Sequence, residues 1–267
     1  MTKNFDLAKE LFKDTIEPHL YFDSMSAEIA LHKLEESIVQ RSASLIFVIG
    51  EPGVGKTHVM RLINSKISQT QLTVFIDHPF FDKRDLLKML YEAKGLVFDK
   101  EVNFNTLKDN LLDAYTGIEH TIFIDEAQLL NEAQFELIRI MSDTKIFHFV
   151  IAMHKDEGLS ILEKKHFKSR TKIVIEYGDL EEGEILRYIQ STLLSHAQGD
   201  IASMFGKSEA RAIGRYAKGN FRTIKRFLYT LMKLLSYTQK QGLSKYQTIN
   251  NCVLTMTALD TGLLHDT

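Results

Sequence analysis

Cysteine is nearly absent: Cys252 stands alone in 267 residues, so no disulfide can form within the chain, which fits a reducing compartment. Lying in an apolar run with Val253 and Leu254 and with no motif around it, Cys252 reads as a small core-facing residue. Proline is scarce as well, 3 residues beside 14 glycines, a usage that favours helices and few long loops. No apolar run approaches the ~18 residues a membrane span needs. Leu45–Gly50 and Phe149–Met153 fall far short of it. The N-terminal stretch MTKNFDLAKELFKD mixes charge with apolar residues and has no signal-peptide h-region, so the expectation is a cytoplasmic protein without a membrane span. Histidine or cysteine pairs at metal-ligand spacing are missing, as is a G-x-S-x-G nucleophile context, which argues against zinc and serine-hydrolase chemistry.

A large excess of either charge is also missing. Thirty-three basic against 35 acidic residues give a net charge of −2, which excludes a globally basic, nucleic-acid-coating protein. The distribution is uneven, however. Glu176, Asp179, Glu181, Glu182 and Glu184 follow one another with no basic residue between them. From Gly206 to Lys245 there are 10 basic residues against one acid, Glu209. This segment has two readings: a phosphate-backbone contact surface, or a solvated face that complements the acidic stretch.

What the chain does have is an ordinary globular composition, 44% hydrophobic and 25% charged, and a clear change of pattern along its length. Ser44–Ile49, Leu72–Asp77, Thr121–Asp125, Phe147–Met153 and Thr171–Tyr177 are short, mostly apolar runs, the pattern of strands buried on both faces. Between them Thr57–Gln69, Lys83–Lys94, Asn103–Tyr115 and Glu132–Ser142 carry apolar residues at helical spacing. After Asp179 only helical pattern remains, over Glu181–His196, Ser208–Lys218, Phe221–Gln239 and about Ile249–Thr261, with Gly199, Gly219 and Gly242 as helix stops. The expectation is an α/β fold with a five-stranded parallel sheet flanked by helices, followed by a small all-helical domain. Its divisions would be 1–23 as a helical linker, 24–178 as the α/β domain and 179–267 as the helical domain.

Directly after the first of these strands stands GEPGVGKT, a full G-x-x-x-x-G-K-[ST] match. Gly50, Gly53 and Gly55 let the backbone curl so that successive N–H groups point at a phosphate, and the helix that follows adds its positive end. The candidate nucleotide-binding residues are therefore Gly50, Glu51, Pro52, Gly53, Val54, Gly55, Lys56, Thr57 and His58. Lys56 supplies a charge to the β/γ-phosphates and the Thr57 hydroxyl a ligand to Mg²⁺. A second apolar run, Thr121–Ile124, ends in Asp125-Glu126. There Asp125 is the second candidate Mg²⁺ ligand, and Glu126 the general base that polarises water. ATP and Mg²⁺ are the implied cofactors and ATP hydrolysis the implied reaction; a nucleotide-responsive scaffold with negligible turnover is the plainer rival.

The acid pair, the strand count and the C-terminal helices resemble the AAA+ ATPases over roughly Tyr21 to Leu264. Within them Ile124-Asp125-Glu126-Ala127-Gln128-Leu129-Leu130, then Phe135-Glu136-Leu137-Ile138-Arg139, resembles the general-secretion ATPases of the ExeA/GspA type and the pilus-biogenesis ATPases of the MshM type. Transposition ATPases of the MuB/TniB kind share much of the layout. The resemblance implies a polar sensor at His154, an arginine finger at Arg170 that enters a neighbouring subunit, and a lid sensor at Arg222 in Gly219-Asn220-Phe221-Arg222, with Arg226 as its alternative. It also implies a homo-oligomer that remodels or assembles a macromolecular partner, of a secretion or pilus machine. The alternative is an ATP-controlled DNA-binding switch of the transposition or helicase-loader type, with nucleic acid as partner.

Overall fold

The computed structural model describes residues 3–14, 22–78, 80, 82–168 and 172–264, apart from the side chains of 165 and 166. The chain divides into two compact units. One comprises residues 27–52 and 56–177, and the other residues 1–26, 53–55 and 178–267.

The first unit is built on five parallel strands in the order β2-β3-β4-β1-β5. These are β1 (Leu45–Gly50), β2 (Leu72–Ile76), β3 (His120–Ile124), β4 (Phe149–His154) and β5 (Ile173–Tyr177). β1 and β3 are buried along their whole length, as the mixture of β-branched and aromatic residues on both faces predicts. β5 departs from that expectation: Val174 and Glu176 are exposed while Ile175 and Tyr177 are buried. It is an edge strand with one neighbour, β1, so one of its faces stays open and its pattern alternates. The helices of this unit are α2 (Met25–Val39), α3 (Lys56–Ile67), α4 (Lys83–Ala93), α5 (Phe104–Tyr115), α6 (Glu132–Asp143), α7 (Lys155–Glu163) and α8 (Lys165–Lys168). Two of them start on reciprocal caps. Asp82 and Asp85 exchange side-chain and backbone bonds at α4, and Asn131 and Gln134 do so at α6.

The second unit packs α1 (Phe5–Glu10), α9 (Glu182–Ser195), α10 (Gly199–Ala202), α11 (Lys207–Ala217), α12 (Phe221–Lys240) and α13 (Asn251–Asp260) around their own apolar core. Gly219 (φ 76) and Gly242 (φ 68) end helices as expected. Gly199 does not: it opens α10, and the left-handed residue that ends the α9 segment is Ala197 (φ 57). Cys252 is exposed rather than core-facing. On α13 the buried residues Val253, Leu254, Thr257 and Ala258 form one stripe, and at 100° per residue Cys252 projects from the far side. Among the described residues no helix is long and apolar enough to cross a membrane.

At the start of β3, His120 is fully buried, with Tyr115 and Phe147 packed edge-on at 4.7 and 5.4 Å between ring centres and Nδ1 2.8 Å from the Ile118 carbonyl. Burial, aided by Arg41, His148 and Lys94, depresses its pKa from 6.5 to about 4. The unfolded chain then binds the proton more readily than the folded one. Stability from His120 is complete above pH 6.5 and is lost as pH falls toward the folded value. In urea unfolding, the native protein is expected to lose about 2–3 kcal/mol more than His120→Phe between pH 7 and pH 4.5; equal losses would remove this account.

Candidate functional site

The loop after β1 begins beside the end of β4, because the parallel register sets Gly50 opposite His154. Gly53 (φ 83) and Gly55 (φ 120) occupy backbone conformations that disfavour any side chain, which is what the curled loop demands of those positions. The Lys56 side chain is buried and folds back over the loop, its Nζ donating to the carbonyls of Gly50 at 2.8 Å and Glu51 at 2.9 Å. Lys56 thus opens α3 with its charge held at the mouth of the loop, and His58 lies within the first turn of the helix. Val54 is buried and anchors the loop.

β3 delivers the acids. The Asp125 amide donates to the Ile76 carbonyl at 2.9 Å, extending the ladder with β2 by one residue and tethering the strand end. Asp125 is buried, and desolvation raises its pKa above the ordinary carboxylate value, opposed by the nearby Thr57 hydroxyl and the Glu126 amide. The Glu126 amide donates to Asp125 Oδ1 at 2.9 Å, and Glu126 itself is left-handed (φ 50, ψ 35). Such a conformation in a non-glycine residue must be held by its surroundings. Here the Gln128 amide group donates to Glu126 Oε2 and lies 3.4 Å from His154 Nε2, which is 3.7 Å from the same carboxylate oxygen. Gln128 is the residue the sequence reading did not single out. Its signal was only its place in the Asp125-Glu126-Ala127-Gln128 run, and its buried Oε1 has no hydrogen-bond partner among the described residues.

Thr57, Asp125, Glu126, Gln128 and His154 are therefore brought together at the carboxyl ends of three strands, where open α/β sheets hold ligands. Among the described residues no cluster of three or more His, Cys, Asp or Glu side chains could hold a metal alone. The Thr57–Asp125 pair fits Mg²⁺ all the same, since that ion is commonly held by one carboxylate and a hydroxyl together with substrate phosphates.

In the helical unit, the Arg222 amide donates to the Gly53 carbonyl at 3.0 Å, and the Arg222 Nε lies 3.2 Å from Asp14 Oδ2. Arg226 instead donates to the Thr261 carbonyl at 3.2 Å. Arg170 lies outside the described residues.

Sheet order, phosphate loop and paired acids define the class: this is an AAA+ P-loop ATPase, which binds nucleotide. A family model described as an AAA domain matches residues 39–160. The chain resembles the general secretion pathway protein A of Aeromonas hydrophila, 27% identical over 148 residues, which make up 53% of this chain and 27% of that protein. The alignment thus spans about a quarter of that relative's length. Among solved structures, Drosophila ORC bound to DNA superposes with a TM-score of 0.65 at 14% identity, over 96% of this chain and 65% of that one. A Walker-type ATPase of Pyrococcus abyssi gives 0.58 at 14% identity, over 88% and 78%. Both are likenesses of fold.

A methyl group on Gly53 would meet the Arg222 Cβ at 2.8 Å and the Asn220 Oδ1 at 3.0 Å, on a backbone that already disfavours it. Gly53→Ala is expected to destabilise the protein by about 1–3 kcal/mol in thermal unfolding and to weaken ATP binding. An unchanged melting temperature would contradict the packing at Gly53.

Proposed function

We propose that the chain holds Mg²⁺·ATP between the 50–57 loop and the end of β3, hydrolyses it through Glu126, and works as a homo-oligomer on a protein assembly. The carrying observation is the Gln128–Glu126–His154 network beside the buried Asp125, whose carboxyl the Thr57 hydroxyl approaches. In this reading, amides from Gly50 to Gly55 and the Lys56 ammonium receive the phosphates. Thr57 and Asp125 hold Mg²⁺, which when bound neutralises charge on the phosphate oxygens. Glu126 accepts the proton of the attacking water, and Gln128 fixes the carboxylate's direction. His154, also within reach of that carboxylate, serves as the polar sensor. Arg222 takes the lid-sensor role rather than Arg226, since its backbone is bonded to the loop while the Arg226 guanidinium is engaged at the end of α13. Arg170 is proposed as the finger that completes a neighbouring subunit's site.

Glu126→Gln is expected to keep ATP affinity and to lower kcat by about 10²–10⁴. Gln128→Ala should lower kcat by roughly tenfold with little change in KM, the signature of a group that orients the base rather than the substrate. Turnover by Glu126→Gln at the native rate would remove Glu126 as the base, and negligible turnover by the native protein itself would leave the scaffold reading.

The secretion or pilus partner is supported by the resemblance to the Aeromonas protein. The DNA-switch alternative rests on the basic segment 206–245, and its charges are in part used internally. Arg211 pairs with Glu182 at 3.1 Å, Arg222 with Asp14 at 3.2 Å and Lys240 with Asp6 at 2.6 Å, while Lys225 is buried. These pairs support the plainer reading of that segment. In a salt titration with duplex DNA and Mg²⁺·ATP we expect no ATP-dependent, steeply salt-sensitive binding; tight binding of that kind would reverse the assignment. Mixing inactive Glu126→Gln with inactive Arg170→Ala is expected to restore activity, because each supplies what the other lacks across a subunit boundary. Failure of the mixture to recover would remove the finger.

A further inference from the structure

At the amino-terminal edge of the sheet, away from the nucleotide loop along the strands, the turns that enter β1 and β4 lie side by side. The register pairs Leu45 with Phe149, and the Phe149 amide donates to the Ser44 carbonyl at 2.9 Å. These turns line a cavity of about 550 Å³, within the range that takes small organic ligands. Arg41 contributes one cationic wall, at the end of α2, and Lys145 the other, at the end of α6. His148 and the hydroxyl-bearing Ser42 and Ser44 add polar groups, and Ala43 and Leu45 an apolar floor.

Three features of this cavity converge on an anion. The one acid that lines it, Asp143, shares Arg139 with Glu136, so the lining sets two cations, Arg41 and Lys145, against a single carboxylate that is already engaged at 2.8 Å. Neither Arg41 nor Lys145 forms an ion pair among the described residues. Both, moreover, are left-handed, with φ 47 and φ 58. They stand where helices end, with the Arg41 amide bonded to Ile38 and the Lys145 amide to Ser142, positions that favour glycine. Cations therefore occupy two backbone positions where glycine would cost the fold less. A cation at a helix end also complements the helix dipole, which is the rival explanation for both residues.

We propose that this cavity binds a small organic dianion, a phosphate monoester or a dicarboxylate, with Arg41 and Lys145 gripping the charged groups and the carbon skeleton lying against Ala43 and Leu45. The site is separate from the phosphate loop and does not rest on the reading given to it.

The test uses the full chain carrying Lys56→Ala, so that the phosphate loop does not contribute anion binding. Isothermal titration with glycerol phosphate, succinate and inorganic phosphate separates the two dianion classes from the bare ion. One organic dianion is expected to bind at one per chain, at least tenfold more tightly than inorganic phosphate. Adding Arg41→Gly and Lys145→Gly should weaken that binding at least tenfold without lowering the ligand-free melting temperature, because glycine suits both left-handed positions. Absence of heat with both organic compounds overturns the proposal. So does inorganic phosphate binding equally well, or undiminished binding in the glycine variant. A glycine variant that melts lower and binds as before would assign the two cations to helix capping instead.

Discussion

Parallel pairing of β1 with β4 is the constraint on which the site depends. It puts Gly50, where the chain leaves the sheet, directly opposite His154, where β4 ends. The same pairing, continued through β4 to β3, brings Asp125 and Glu126 to the same edge. Because β1, β3 and most of β4 are buried on both faces, a slip of one residue would exchange the side chains of two differently packed faces across three strands at once. The geometry of the polar site is thus held by apolar packing beneath it.

Above that sheet edge the site keeps groups in places that cost free energy. Asp125 is a buried carboxylate whose ionised form burial disfavours, and Glu126 has a left-handed backbone. Gln128 leaves one buried oxygen without a hydrogen-bond partner among the described residues. Departures of this kind concentrate where a protein does chemistry and are compensated by the stability of the surrounding core. The opposite edge of the sheet has its own departures, in Arg41 and Lys145, and they too gather around one cavity.

Much of this was legible in the residues alone. The five strands and the main helices followed from period and composition, with ends displaced by no more than about two residues, because the apolar pattern that marks an element also buries it. The phosphate loop and the acid pair were legible because their chemistry needs particular residues at fixed spacing. Less legible were features set by neighbours remote in sequence. β5 looked as buried as β1 until its place at the sheet edge left Val174 and Glu176 exposed. Cys252 looked internal because apolar residues follow it, yet helix rotation turned it outward.

The sequence by itself determined the fold class, the phosphate-loop motif and the acid pair that follows the third strand, since local spacing and periodicity suffice for each. Only the tertiary structure decided that Gln128 reaches both Glu126 and His154, that Arg222 rather than Arg226 is bonded to the loop, and that Arg41 and Lys145 share a cavity. Those relations join segments from two to about 170 residues apart and depend on side-chain direction and strand order, which no local pattern encodes.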